Sequence, residues 1–166
     1  MLVRVRRYYE AFLEAVALVL MVTLAVVVTV GVVYRWSGQS LVWYDEVASI
    51  LLAWITFYGA ALAALRGAHI GVPGLVDAMP RGLRLAATIF AEAGVIGFFV
   101  LMAWVGYSVL DVLATDYLVS IPEVSVKYTQ SVIPLGATLF VIAELLRLPE
   151  LLRGAGGIAP AESRLQ

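Results

Sequence analysis

Four stretches of this chain, near residues 12–34, 43–65, 83–110 and 128–146, are almost free of charge, and each is long enough to cross a bilayer. A hydrocarbon core of about 30 Å takes roughly 20 helical residues, and in lipid every backbone N–H and C=O needs a partner within the protein. The runs are rich in valine but lack the alternating polarity of barrel strands, so helices remain as the solution. Composition agrees: 63% of the 166 residues are hydrophobic and 14% are charged, whereas soluble domains run near about half apolar and about a quarter charged. The prediction is an all-α integral membrane protein of four transmembrane helices. Residues 1–153 would form one four-helix transmembrane domain, and the Gly- and Ala-rich residues 154–166 a disordered cytoplasmic tail.

The cations are distributed unevenly between the two sides. Arg4, Arg6 and Arg7 precede span one; Arg66, Arg81 and Arg84 lie between spans two and three; Arg147, Arg153 and Arg164 follow span four. Only Arg35 and Lys127 fall on the other side, which predicts both termini in the cytoplasm. The start superficially resembles a secretory signal, but the apolar run is too long and ends in Tyr34-Arg35-Trp36 without a small-residue cleavage site, so it reads as a retained span. Between His69 and Leu83, two readings stay open. Val72, Leu75, Val76, Met79 and Leu83 recur at helical spacing between Pro73 and Pro80, as in a short interfacial helix, and equally suit an irregular loop with apolar anchors.

A net charge of −1 argues against nucleic-acid binding. Zero cysteines and a single histidine exclude disulfides, thiolate metal sites, iron–sulfur clusters and a histidine-rich metal or haem site. No nucleophile lies beside a base and no phosphate loop is present, so the expectation is a protein that is not an enzyme, with no catalytic, substrate-binding or metal residues and no cofactor. What remains are ionisable residues at or within the spans, where burial in lipid is costly and function is the default suspicion.

Three groups stand out. At the outer rim, Arg35 and Trp36 close span one while Trp43, Tyr44, Asp45 and Glu46 open span two. The aromatics suit headgroup anchoring, and the acids complement the positive end of the helix dipole. Glu46 lies deeper than Asp45 and wants a partner, so an Arg35–Glu46 ion pair is predicted. At the exit of span two, Gly59, Ala63 and Gly67 recur every four residues, a spacing that lets another helix approach closely. Arg66 and His69 follow as a snorkelling anchor and an interfacial hydrogen-bonder. Finally Glu14, Glu92 and Glu144 sit inside apolar runs. A lone membrane carboxylate could couple protons to a cationic substrate; the preferred reading pairs Glu92 and Glu144 with Arg66, Arg84 or Arg147, or with an arginine of a partner subunit. In span four, Pro134-Leu135-Gly136 combines a kink with a close-packing site.

Taken in order, Arg35, then Trp43, Asp45 and Glu46, then Trp54 and Phe57-Tyr58-Gly59-Ala60-Ala61, the exit Leu65-Arg66-Gly67-Ala68-His69-Ile70, and Pro134-Leu135-Gly136 resemble the small membrane subunit (the Q, or DctQ-type, component) of tripartite ATP-independent periplasmic (TRAP) transporters. Where that family often has an asparagine shortly before the arginine, this chain reads Gly31-Val32-Val33-Tyr34. The resemblance implies a bacterial inner-membrane subunit that binds no substrate. It would anchor a large elevator-type M subunit, which takes up an organic acid delivered by a periplasmic binding protein and driven by sodium ions bound to the large subunit. The expected partners are therefore the M subunit, the binding protein and membrane lipids. Trp54, Gly59, Ala63, Gly67, Pro134 and Gly136 would serve helix packing or the large-subunit interface. Arg66, His69, Glu92 and Glu144 would make cytoplasmic-side contacts. Competing readings are a stand-alone proton-coupled exporter using Glu14 or Glu92, a four-span glutathione-using membrane enzyme, and the small subunit of a tripartite tricarboxylate transporter.

Overall fold

In the computed structural model, which describes residues 2–67 and 80–155, the apolar runs are helices and no strand forms among the described residues. Helix α1 spans Leu2–Trp36, α2 Tyr44–Arg66 and α3 Arg81–Leu110. A 3₁₀ turn at Leu113–Thr115 leads to a short α4, Val126–Gln130, and then α5, Val132–Ala155. The residues of the proposed interfacial helix from Pro73 to Met79 lie outside the described residues, as do 156–166 of the tail expected from 154, whose first two residues belong to α5.

Local chemistry sets the boundaries. α2 stops because Gly67 turns into the left-handed region at φ 68°, its N–H donating to the carbonyls of Ala63 and Ala64. Pro80, extended at φ −56° and ψ 146°, immediately precedes α3. The Ser125 side chain accepts from the Lys127 N–H and so caps α4. α4 and α5 form one membrane-length segment, because Ser131 N donates to Lys127 O and Leu135 N to Ser131 O, both at 3.1 Å. The interruption falls at Gln130–Ser131, where the Pro134 ring opposes the carbonyl four residues back. The predicted kink near Pro134 is thus a break just ahead of it. α1 starts ten residues earlier than the predicted span, and α5 runs nine residues past the predicted end at Leu146, through Pro149.

The helices pack in the spatial order α1, α2, α5, α3. The chain thus makes two helical hairpins joined through α2 and α5, and α1 and α3 form the edges of an open layer. Alanines at the crossings let backbones approach: Ala61, Ala64, Ala137 and Ala143 have no exposed surface. The core gathers Leu13, Ala61, Ala64, Leu65, Phe140 and Ala143 where α1, α2 and α5 converge. α3 is fastened to α5 by the stacked rings of Phe99 and Phe140, 3.7 Å between centroids, and by Gly106 against Pro134. The edge helices stay open: no residue in the most apolar stretch of α3 is fully buried, and Phe90, Phe98, Leu101 and Trp104 are exposed.

Candidate functional site

Polar side chains collect at the two ends of the layer. At the rim formed by the end of α1 and the start of α2, Tyr44 is 7% exposed and its ring packs against Gly31, where an added Cβ would stand 2.3 Å from it. The Arg35 guanidinium donates to the Tyr44 hydroxyl and sits 5.6 Å from the ring centroid, within cation–π range. Glu46 looks elsewhere. It accepts from the Ser120 N–H at 2.8 Å, the Val119 N–H at 3.2 Å and the Ser120 hydroxyl.

The predicted Arg35–Glu46 ion pair therefore does not form. Backbone and hydroxyl donors of the α3–α4 loop satisfy the carboxylate, and a buried tyrosine takes the cation. The loop that Glu46 holds is itself ordered by Leu118 N to Val124 O at 3.0 Å, Val126 N to Asp116 O at 2.9 Å and an isolated bridge between Tyr117 and Ser125. Asp45 is exposed in the first turn of α2, and Trp43 is its partly exposed capping residue. Trp54 ties α2 to α4, its indole N–H donating to Thr129 O at 3.1 Å while the ring stacks on Tyr58.

At the opposite end, arginines converge on the C-terminus of α2. Arg6 donates to Leu65 O at 3.0 Å and to Glu150, tying α1 to both α2 and α5. Arg66 reaches Glu10 at 2.8 Å and Glu14 at 3.3 Å. Arg147 lies against Gly67, whose added Cβ would meet its guanidinium at 3.0 Å, and its Nη1 is 3.7 Å from Glu144, a carboxylate only 2% exposed. Tyr9 donates to Leu139 O at 2.7 Å across the same junction. Free carbonyls at a helix C-terminus attract cations, and these carboxylates offset the charge so gathered.

Of the residues named from sequence, the structure thus brings Arg66 and Glu14 together, and sets Glu144 beside Arg147. Glu92 lies half-buried on α3 without an ion pair among the described residues, so the pairing expected for it with Arg66, Arg84 or Arg147 is not formed within them, and the alternative, an arginine of a partner subunit, stays open. α3 is an edge helix among the described residues, packed mainly against α5. His69 lies outside the described residues. Gly136 packs on Phe57, an added Cβ meeting it at 2.5 Å, and Pro134 is buried. Among the described residues nothing lies within 4 Å of a Cβ added at Gly59, and Ala63 is half-buried. Sequence reasoning missed Gly31, Tyr9, Arg6, Glu10 and Ser120. A lone glycine in a valine-rich helix was the available signal for Gly31; the others pair across 56 to 144 residues of chain, where no local pattern records them.

Four membrane-length helices in an open layer, with hydrogen-bonded polar clusters at its two ends, define a multi-pass membrane protein. Residues 24–154 match the profile described as tripartite ATP-independent periplasmic transporters, DctQ component, and the chain belongs to that family of transporter small subunits, a non-enzyme kind of protein. It is 39% identical over 105 residues to the ectoine TRAP transporter small permease protein TeaB of Halomonas elongata, an alignment covering 61% of this chain and 52% of that protein. The chain thus spans about half the length of that relative. It is 23% identical over 151 residues to the sialic acid TRAP transporter small permease protein SiaQ of Vibrio cholerae, covering 90% of this chain and 87% of the other.

Proposed function

We propose that this chain is the scaffold subunit of a TRAP transporter. It anchors a large elevator-type permease in the bacterial inner membrane, with both termini cytoplasmic, while that permease and a periplasmic binding protein take up an organic acid with sodium ions bound to the large subunit. The single observation that carries the reading is the open layer: two edge helices present long apolar faces while polar groups are tied to one another at the ends. An elevator domain must translate against something held still, and spans braced at both ends suit that task better than they suit movement. The depression on α1 lined by Val22, Ala25, Val26, Thr29 and Val30 is apolar and belongs to one helix face, which suits lipid or a packed helix better than an anionic solute. A relative named for sialic acid supports the organic-acid class, and one named for ectoine widens it.

Co-expression with the large permease, followed by purification through a tag on this chain alone, tests the reading. The large subunit is expected to co-purify in fixed ratio. Purification of this chain by itself as a stable dimer, with the permease left behind, would contradict the proposal.

A further inference from the structure

Three arginines open α1, and the structure treats them differently. Arg6 turns inward, to Leu65 O and Glu150, on the same helix face as Tyr9, Glu10 and Leu13, which pack or bond toward α2 and α5. Arg4 and Arg7 fall on the opposite face, at the i and i+3 positions of a stripe that continues through Tyr8, Ala11, Phe12 and Ala15. Both arginines are exposed, and neither has an ion-pair partner among the described residues. The carboxylates of this segment, Glu10 and Glu14, are both held by Arg66. Tyr8 is 78% exposed and Phe12 50%, while Ala11 and Ala15 leave the stripe flat beside them.

Depth adds the second argument. α1 has 35 residues, so it is about 52 Å long, more than the roughly 40–45 Å of a bilayer with its headgroups. With Trp36 at the far interface and a hydrocarbon core of about 30 Å between, Phe12 and Tyr8 fall within the near headgroup layer. Arg7 and Arg4 then fall at its aqueous border. Phosphate chemistry is what such a pair can meet there, with aromatic rings alongside the glycerol region. A protein partner would have to bring carboxylates to both cations, and the centres of protein interfaces are poor in charge.

We propose that the exposed face of Arg4, Arg7, Tyr8 and Phe12 is a docking site for an anionic phospholipid headgroup. The test uses the full chain with its co-purified large subunit, and in parallel the chain alone, in nanodiscs holding spin-labelled phosphatidylglycerol or phosphatidylcholine. Each exposed arginine near a charged membrane surface contributes about fivefold in binding. The immobilised fraction should therefore favour phosphatidylglycerol, and the preference should fall about fivefold or more in Arg4→Gln/Arg7→Gln, while Lys127→Gln at the opposite end keeps it. In the unaltered protein the preference should also fall as salt rises, a readout independent of how the variant folds. No preference for phosphatidylglycerol, or one indifferent to both the double substitution and salt, would overturn the proposal. A preference shown by the chain alone and lost in the complex would overturn it too, by assigning the face to an acidic segment of the large subunit.

Discussion

A carboxylate in the first turn of a membrane helix needs donors, and Glu46 finds them in residues 119 and 120, more than seventy positions away. Two of those donors are backbone N–H groups, which every residue type but proline carries, so no pattern of letters could have pointed to them. The legible part was the demand, a carboxylate beyond the dipole's needs; the supplier was not. A double-mutant cycle separates the two accounts. Coupling between Arg35→Gln and Glu46→Gln should be indistinguishable from zero, while Arg35→Gln with Tyr44→Phe should couple measurably. A strong Arg35–Glu46 coupling would restore the ion pair. Removing the clamp with Glu46→Ala should speed hydrogen exchange at the Val119 and Ser120 amides several-fold and leave amides within α2 unchanged.

Helices in lipid associate by close fit, and here glycine position decides which contacts are close. The four-residue repeat of Gly59, Ala63 and Gly67 was visible in the sequence, yet no described residue lies against Gly59, while Gly31 and Gly136 receive the rings of Tyr44 and Phe57. Spacing reveals a stripe on a helix but not the element that lies against it. Gly31→Ala or Gly136→Ala should therefore destabilise the subunit by about 1–3 kcal/mol, the ordinary cost of overpacking. Gly59→Ala should be neutral or stabilising by up to about 1 kcal/mol in the isolated chain. Thermal unfolding in detergent, followed by intrinsic fluorescence, orders the three. A Gly59→Ala loss that appears only in the presence of the large subunit would mark that face as the contact with it.

At the scale of the whole molecule, hydrophobic length was enough to show four helices, because nothing else crosses lipid with so few charges. The order α1, α2, α5, α3 was not legible, since lipid-facing and helix-facing surfaces are equally apolar and hydropathy carries no record of which side is which. The uneven spread of cations along the chain was legible, but not how Arg6, Arg66 and Arg147 would gather on the end of α2. That junction joins three helices, so Arg66→Gln, which leaves Glu10 and Glu14 without their shared cation, should lower the unfolding temperature. The effect should shrink at high salt, where the carboxylates are screened. The most direct test of the scaffold account is solute uptake into proteoliposomes under an imposed sodium gradient with the matching binding protein, comparing both membrane chains together with each alone. The account predicts uptake only when both are present, and no movement of any solute by this chain by itself. Transport of a cationic compound by this chain alone, abolished by Glu92→Gln, would contradict it and make the chain a transporter in its own right.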